Sequence, residues 1–292
     1  MTDRLFRLAT RASPLALWQA RLVAHALRRR HAGLQVTLVP IVSSGDADRS
    51  TTLYESSTVG MFVKEIQAAV LSGDADAGVH SCKDLPTASP AGLVLSAMLA
   101  RADPRDALVG GDLATLPDGA LIGTSSLRRQ LQLARLRPDL RFAPIRGNVD
   151  TRLRKITQGE YQATVLAMAG LTRLGLARSA RASALDPFDA CVPAPGQGVI
   201  AVDCRTSDRR ARWLLGAIDH HETRAAATIE RAVLAALHGG CSLPLGCYAW
   251  REGGRWNLVA SLGVDGVIRH RLRIDGTAAE LPINAIARLA GR

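Results

Sequence analysis

The sequence predicts an α/β protein with two similar α/β domains and a small C-terminal α+β domain. Over the first two thirds of its 292 residues, short apolar segments alternate with segments of helical periodicity. This alternation is typical of mostly parallel sheets with helices on both faces. Beyond about residue 218 one helix precedes several short strands, which indicates a different architecture for the C-terminal part.

The elements of the first domain follow from short local patterns. LFRLA (5–9) predicts a strand, and Ser13 before a proline is typical of a helix N-cap with proline in the first turn. LQVTLVPIV (34–42) predicts the next strand. The polar stretch 43–60 predicts a mobile loop, and a helix and a buried strand are expected after it at 62–80.

The second domain shows the same alternation. ALIGTSS predicts a strand and a helix cap, a helix is expected at 127–138, RFAPIRG predicts a strand and a turn, and a helix and a strand follow at 151–168. GDADAGVHS (73–81) and GEYQATVLA (159–167) each place a short strand after a helix. This weak internal echo suggests two similar domains with a ligand site in the crevice between them. The segment 192–205 returns to a strand pattern and is expected to cross back into the first domain.

A third domain is predicted where the alternation ends. HHETRAAATIERAVLAAL predicts a helix that stops at two glycines, and CYAWRE, RWNLVASLG and VIRHRLRI predict short strands before a final short helix. We expect domain 1 at 1–99 and 197–217, domain 2 at 103–193, and the C-terminal domain at 218–292.

The net charge of +11 comes almost wholly from arginine, since only three residues are lysine. Genome composition is one explanation, but arginine forks also match carboxylates and phosphates better than lysine does. Nucleic acid is the common partner of a strongly basic chain. Aromatic residues are only 4% of this one, and no basic run is interleaved with them to form a stacking platform. Small anionic ligands therefore fit better than nucleic acid.

The sequence favours a cytoplasmic protein without membrane contact. No apolar stretch is long enough to span a bilayer, and the N-terminal segment lacks the hydrophobic core of a signal peptide. The cysteines form no CxxC pair, which suits a reducing compartment better than a disulfide framework or a zinc site. We expect a monomer without a metal ion. The five cysteines are at positions 82, 191, 204, 241 and 247.

Cations follow several predicted strands, at the turns where parallel α/β sheets bind ligands. Arg128, Arg129 and Arg152 fall in the first turn of a predicted helix, where the helix dipole disfavours a cation by about 0.3–1 kcal/mol. A bound anion would reverse that interaction and use the free N–H groups of the helix. Exposed or internally paired arginines are the alternative. Five cationic turns favour a polyanionic ligand, and they contain Arg11, Lys83, Arg128-Arg129, Arg146 and Arg152.

Asp84 and Cys241 are the candidate reactive groups. Asp84 follows Lys83 in HSCKDLP and is either an ion-pair partner or a carboxylate that stabilises a developing positive charge or moves a proton. Cys241 lies in HGGCSLPLG, where its thiol is either a nucleophile at a loop tip or a small buried apolar group. The His220-His221 pair is expected to be structural rather than metal-binding, because adjacent helical side chains diverge.

Ten motifs follow one another between about residues 5 and 250: ATRASPLALWQA, FVKEIQAAVLSGDADAGVHSCKDLPT, DPRDALV, GTSSLRRQ, RGNVDTRL, LAMAGLTRLGL, PGQG, HHET, ERA and GGCSLPLG. In this order and combination the sequence closely resembles the porphobilinogen deaminases. The part beyond residue 250 is generic.

The resemblance implies three domains, the first two like type II periplasmic binding proteins with crossing hinge strands. It also implies a dipyrromethane cofactor, built by the enzyme from substrate and held through a thioether to Cys241. Asp84 would be the catalytic carboxylate, in contact with pyrrole nitrogens. The cofactor-binding residues would be Lys83, Asp84, Ser126, Arg128, Arg129, Arg152 and Cys241, and the substrate-binding residues would be Arg11, Ser13, Arg146, Arg152 and Arg173.

By the same resemblance, the expected reaction belongs to haem biosynthesis and joins four porphobilinogen molecules head to tail into linear hydroxymethylbilane, with loss of ammonia. The family usually carries lysines at the positions of Glu55 and Val59, so the contacts of this loop with substrate differ here. A non-catalytic anion-binding module of the periplasmic-binding-protein type is the alternative, but it leaves Asp84 and Cys241 without a role. The second alternative is a protein that binds nucleic acid through its net positive charge.

Overall fold

The computed structural model describes residues 5–41, 57–237 and 243–290, and the side chains of 57–62 are not described. By its internal contacts the chain divides into two units. Unit 1 consists of Met1–Arg101 and Val199–Arg224, and unit 2 of Ala102–Gly198 and Ala225–Arg292.

In chain order the first elements are β1 (Leu5–Arg11), α1 (Pro14–Arg30), β2 (Gln35–Ile41), α2 (Ser57–Ser72), β3 (Ala77–Ser81), a 3₁₀ turn (Cys82–Asp84), β4 (Leu93–Met98), β5 (Asp106–Val109), β6 (Leu121–Gly123), α3 (Leu127–Leu136) and β7 (Arg141–Ala143). They are followed by α4 (Val149–Thr157), β8 (Ala163–Ala167), α5 (Met168–Arg173), β9 (Ser183–Ala184), β10 (Ile200–Arg205), α6 (Arg209–Gly216), α7 (His221–Ala236), β11 (Leu245–Glu252), β12 (Arg255–Val264), β13 (Val267–Gly276) and α8 (Glu280–Leu289).

The five-stranded sheets of the two units share one topology. In unit 1 the order is β2-β1-β3-β10-β4, and β10 runs antiparallel to both of its neighbours. In unit 2 the order is β7-β6-β8-β5-β9, and β5 runs antiparallel to both of its neighbours. This confirms the predicted pair of similar, mostly parallel α/β domains. The two echo segments contain β3 and β8, which occupy the same place in the two sheets.

Each antiparallel strand follows a passage of the chain from one unit to the other. The strand β5 comes after the passage at 101–102, and β10 comes after the passage at 198–199. Unit 1 therefore takes one strand of its sheet from the later part of the chain. This confirms the expectation that the segment 192–205 returns to the first domain.

Helices cover both faces of the sheet in unit 1, and Leu8, Ala9 and Thr10 of β1 are accordingly buried in succession. Leu8 packs in one apolar cluster with Val23 and Leu27 of α1, while Ala9 packs in another with Ile66 of α2. Successive side chains of a strand point to opposite faces, so one strand supports both helices.

The C-terminal part of unit 2 is an antiparallel meander, β11-β12-β13. Val233 of α7, Leu258 of β12 and Leu281 of α8 share its apolar cluster. This is the small α+β architecture that the sequence predicts after residue 218. The exact three-domain boundaries stay a prediction.

The loop predicted at 43–60 is wrong at its C-terminal end, because α2 begins at Ser57. Thr58, Val59 and Gly60 are weak helix formers, so their propensities gave no sign of a helix. Extending an existing helix adds one hydrogen bond per residue and avoids a new nucleus, which allows such residues at a helix end. The rest of the predicted loop lies outside the described residues. Of the helices in the described ranges, none is both long and apolar enough to cross a membrane.

Candidate anion-binding active site

In unit 1 the carboxyl ends of two neighbouring parallel strands carry four of the predicted site residues. The register of β1 and β3 pairs Ala9 with Gly78, so both strands end at the same edge of the sheet. Arg11 is the last residue of β1, and Lys83 and Asp84 lie in the turn directly after β3. Parallel α/β sheets bind their ligands at this edge.

The fourth residue, Ser13, caps the helix that follows β1. Its Oγ accepts the N–H of Ala16 at 3.4 Å, and a proline begins the helix. The amide of Gln19 on the same helix donates to Ser81 Oγ at 3.0 Å and so ties α1 to the end of β3. The predicted N-cap at Ser13 is confirmed, and the cap places this hydroxyl at the sheet edge.

Asp84 lies in a turn whose backbone is fixed on both sides. The N–H of the buried Cys82 donates to Val199 O at 3.0 Å, and Leu85 N–H closes the turn on Cys82 O at 3.2 Å. Asp84 itself is half-buried. Within the described ranges its carboxylate forms no hydrogen bond or ion pair. The backbone around Asp84 is therefore held in place, while its carboxylate forms no bond to another described residue.

In unit 2 the predicted residues follow the three parallel strands β6, β7 and β8. Ser126 caps α3, and its Oγ accepts the N–H of Arg129 at 3.5 Å. Arg146 lies between β7 and α4, and Arg152 lies in α4 itself. Arg173 ends α5, which begins directly after β8. All these residues belong to the carboxyl edge of one sheet.

Arg128 and Arg129 are buried and share one carboxylate, Asp106 at the start of β5. Nη1 of Arg128 donates to Asp106 Oδ2 at 2.7 Å. Nη2 and Nε of Arg129 donate to Asp106 Oδ1 at 2.7 and 3.0 Å. The side chain of Asp106 is fully buried, and those of the arginines are 7% and 9% exposed.

This buried group carries more positive than negative charge. Burial alone would raise the pKa of Asp106, but the two guanidinium groups outweigh burial and hold that pKa well below its ordinary value. Asp106 is therefore ionised and balances one of the two cations. The neighbouring Cys191 adds no negative charge, because burial, reinforced by Asp106, raises the pKa of its thiol to about 12. One positive charge is left for a ligand to balance.

Arg152 and Arg173 add further charge to the same edge. Burial lowers the pKa of Arg152 to about 10, and the charge of Arg129 adds to the effect. Its Nε donates to Gly147 O at 2.8 Å, and none of the described carboxylates pairs with it. Burial also lowers the pKa of Arg173 to about 10. Cations disfavoured in this way are stabilised by a bound anion.

The sequence reasoning did not find Asp106 or Gln197 as members of this group. The amide of Gln197 donates to Asp106 Oδ1 at 3.0 Å and to Pro104 O at 2.7 Å. The signal for Asp106 was a charged residue opening the apolar strand DALV, a place where a carboxylate is costly unless it is paired. No local signal identified Gln197, because its partner is 91 residues away.

Cys241 and Glu55 lie outside the described residues, as does the side chain of Val59. The other four cysteines are buried and unbridged. His220 uses Nδ1 locally, at 2.9 Å from the Oγ1 of Thr223. In the part of the chain that the structure describes, no group of three or more His, Cys, Asp or Glu side chains is arranged to hold a metal ion.

The fold and these cations define a class of α/β protein in which two sheets of one topology present groups for small anions at their carboxyl edges. Two family models place the chain within it. One, described as porphobilinogen deaminase, dipyromethane cofactor binding domain, matches residues 6–212, and the other, described as the C-terminal domain of porphobilinogen deaminase, matches residues 225–290. The chain belongs to the porphobilinogen deaminase family. It is a transferase of tetrapyrrole biosynthesis that uses a dipyrromethane cofactor and acts on porphobilinogen.

The solved structures that match the chain do so with low sequence identity and with TM-scores below 0.5. The periplasmic domain of BvgS from Bordetella pertussis is 16% identical with a TM-score of 0.42, and the match covers 74% of this chain and 40% of that one. Its VFT2 domain alone, as a double mutant, is 17% identical with a TM-score of 0.45 over 80% and 93% of the chains. A TRAP periplasmic solute binding protein from Desulfovibrio salexigens is 14% identical with a TM-score of 0.46 over 75% and 73%.

Proposed function

We propose that Asp84 is the catalytic carboxylate of the hydroxymethylbilane synthase reaction in this chain. The observation that carries the proposal is the half-buried carboxylate, which forms no bond within the described residues and lies on a sheet edge with Arg11 and Lys83. When porphobilinogen loses ammonia, positive charge develops on its pyrrole ring and methylene carbon. A fixed carboxylate stabilises that charge without having to reorganise. The same oxygens can accept the proton that leaves after the new carbon–carbon bond forms.

The arginines of unit 2 fit a dipyrromethane, because its carboxylate side chains would balance the charge that Asp106 leaves over. We propose that Lys83, Ser126, Arg128, Arg129 and Arg152 hold this group. When bound, it supplies the free pyrrole carbon to which the first porphobilinogen is joined, and each later one is joined to the last pyrrole of the growing chain. Charge-assisted hydrogen bonds to guanidinium forks are short and directional, so they would fix the position of that carbon relative to incoming substrate.

For the incoming porphobilinogen we propose a second set of side chains. They are Arg11, Ser13, Arg146, Arg152 and Arg173. Each added pyrrole brings two further carboxylates, which explains why one chain needs so many arginines. The cap at Ser13 places its hydroxyl at the sheet edge beside the N-terminus of α1, where the helix dipole favours an anion.

We propose Cys241 as the attachment point of the cofactor through a thioether. The support is the resemblance of GGCSLPLG to the family motif, together with the burial of the four other cysteines. Buried thiols are poor nucleophiles because desolvation disfavours the thiolate. We also propose a cytoplasmic monomer that does not bind nucleic acid, with the domain boundaries given above. We further propose that the segment with Glu55 and Val59 contacts the substrate differently from a segment that carries the family's lysines at these positions.

Intact-mass spectrometry of the purified protein tests the attachment. We expect the mass of the chain plus a dipyrromethane, and we expect Cys241→Ala to lose both the added mass and turnover. Cys247→Ala is the matched control and should keep both, because Cys247 is fully buried in β11. An unmodified wild type that stays inactive with porphobilinogen would instead support a non-catalytic binding module.

Replacing the carboxylate tests Asp84. We expect Asp84→Ala to reduce kcat by about 100-fold or more while the protein still unfolds cooperatively, because preorganised charge stabilisation of this kind contributes about that much. Steady-state kinetics and thermal unfolding measure the two effects. A loss below about tenfold would show that Asp84 is not the principal charge-stabilising group.

A further inference from the structure

The segment 196–198 touches the arginine group of unit 2 in two places. Gln197 is 1% exposed, and its amide donates to Asp106, the carboxylate that Arg128 and Arg129 share. The next residue, Gly198, accepts a hydrogen bond from Arg173 Nη2 at 2.7 Å. One short segment therefore contacts one proposed ligand-binding arginine directly and two others through Asp106.

The amide of Gln197 helps to fix the rotation of the Asp106 carboxylate. Oδ1 accepts from Gln197 Nε2 at 3.0 Å and from Nε and Nη2 of Arg129, while Oδ2 accepts from Arg128. Because Gln197 also donates to Pro104 O at 2.7 Å, its amide is held at a second point. If the carboxylate turned about its Cβ–Cγ bond, it would lose its bonds to both guanidinium groups, which would then be held by Val192 O and Val165 O, at 2.6 Å from Arg128 Nη1 and 2.8 Å from Arg129 Nη1.

Gln197 itself is mounted on a backbone that is fixed on both sides. The N–H of Gly196 donates to Glu230 Oε2 at 2.6 Å. The φ angle of Gly198 is +86°, and a Cβ there would lie 2.6 Å from Ala102 O, so the chain is closely packed at this point. A rigid mount is what a positioning residue requires, because binding forks must be held within about 0.5 Å of the productive geometry.

The neutral amide also suits the charge of the group. A carboxylate at position 197 would repel Asp106 when ionised, and a cation would compete with the arginines for it. An apolar side chain would remove one donor from Oδ1 and leave the angle of the carboxylate less defined. An amide supplies the hydrogen bond without changing the charge available to a ligand.

We propose that Gln197 is a positioning residue of the carboxylate-binding site, acting through Asp106 to set the direction of the Arg128 and Arg129 forks. The proposal rests on the proposed function, in which those arginines bind carboxylates of the cofactor. Gln197 touches no reacting atom. Its role is to keep two buried guanidinium groups aimed at the ligand.

Gln197→Met tests the proposal, and Gln67→Met is its matched control. Gln67 is also buried, and its amide donates to a buried carboxylate, Asp203 Oδ2, at the same distance of 3.0 Å. Asp203 pairs with His80 instead of an arginine, so the control removes a similar bond in unit 1, outside the arginine group of unit 2. Comparable loss of thermal stability is expected for the two variants.

The two variants should differ in how they hold the cofactor. For Gln197→Met we expect the fraction of protein carrying the dipyrromethane mass to fall, and kcat per adduct-bearing molecule to fall about tenfold, because the forks no longer fix the cofactor's carboxylates. The KM for porphobilinogen should change less than about threefold, because a different set of side chains is proposed to bind it. Gln67→Met should keep the wild-type kcat and adduct fraction. Equal values of both quantities in the two variants would overturn the proposal.

A second variant carries the test if Gln197→Met does not fold. In Gln197→Glu a protonated carboxyl can still donate to Asp106, whereas an ionised one repels it. We therefore expect kcat of this variant to fall with rising pH relative to wild type, while the unfolding temperature is followed at each pH. A kcat ratio that is independent of pH would contradict positioning through Asp106. An inactive wild type without adduct would defeat the proposed function and this proposal together, whereas an active wild type with unaffected variants would defeat this proposal alone.

Discussion

Two aspartates show how one residue type serves two purposes in this protein. Asp106 is fully buried and its oxygens are occupied by arginine, glutamine and cysteine donors. Asp84 is half-buried, and its oxygens make no bond within the described residues. The environment, not the carboxyl group, therefore separates a carboxylate that orients neighbours from one that can meet a substrate.

Asp106→Asn should destabilise the protein by about 3–5 kcal/mol, because two buried guanidinium groups lose their counter-charge.

The stability of the protein should also depend on pH through Asp106. The pKa of Asp106 in the folded protein lies below that of an unfolded chain. Its ionisation therefore stabilises the fold above about pH 4, and that contribution is lost as pH falls further, towards the folded pKa. Urea unfolding between pH 2 and 7 measures both effects. A variant whose stability falls with acid as steeply as wild type would contradict this account.

Arg152→Gln should stabilise the protein without ligand but weaken its binding of carboxylates. The pKa of Arg152 is lowered to about 10 in the fold, so its charged form is favoured less there than in the unfolded chain. Removing the charge removes that penalty, and it also removes a fork for the ligand. Thermal unfolding of the apoprotein and the KM for porphobilinogen measure the two effects.

Arg154→Gln, an exposed change on the same helix, is the control for Arg152. It should alter neither quantity appreciably. If Arg152→Gln lowers the stability of the apoprotein, then the buried cation is balanced by the fold itself and needs no ligand.

The local motifs of the site were predictable at the residue scale, and its long-range pairings were not. The N-caps at Ser13 and Ser126 could be predicted from the sequence, because a cap depends only on the next few residues. The partner of Arg128 is 22 residues away, and its identity depends on how β5 enters the sheet. Sequence reasoning therefore placed the arginines at the sheet edge but left open what held them.

At the scale of elements, long periodic segments were predicted well, as were the three-residue strands β6 and β7, whereas β4, β5 and β9 were missed. The helix α1 carries both a cap and a mostly apolar buried face, and α3 carries a cap. In contrast, β5 has four residues and β9 has two, and each is a strand only because a distant partner pairs with it. Such elements have too few residues for a periodic pattern.

Gly198→Ala should disturb the segment that enters unit 1 more than a glycine replacement elsewhere. Its φ of +86° is unfavourable for any L-residue, which contributes about 1–2 kcal/mol, and the new Cβ would meet Ala102 O at 2.6 Å. Gly175→Ala is the matched control, because Gly175 has φ +71° with nothing within 4 Å of its Cβ. Denaturant unfolding should show a larger loss for Gly198→Ala. Equal losses would mean that the close contact relaxes freely.

At the scale of the whole molecule, the sheet of unit 1 depends on a strand from the later part of the chain. The strand β10 lies between β3 and β4, which are not neighbours without it. We expect a fragment of residues 1–198 to leave the amides of β1 and β3 open to hydrogen exchange, and a fragment of 1–224 to protect them. Equal protection in the two fragments would show that the first strands form a stable sheet by themselves.

The position of β10 also has a consequence for synthesis on the ribosome. The N-terminal strands emerge first, but β10, which pairs with both β3 and β4, is not made until residues 200–205 have been translated. During that interval, apolar side chains of the nascent chain stay accessible and strand edges stay unpaired, which is the condition that chaperones recognise. Fast translation of the segment between β4 and β10 would shorten this exposure. We therefore expect the yield of active protein in the cell to depend on the elongation speed through that segment.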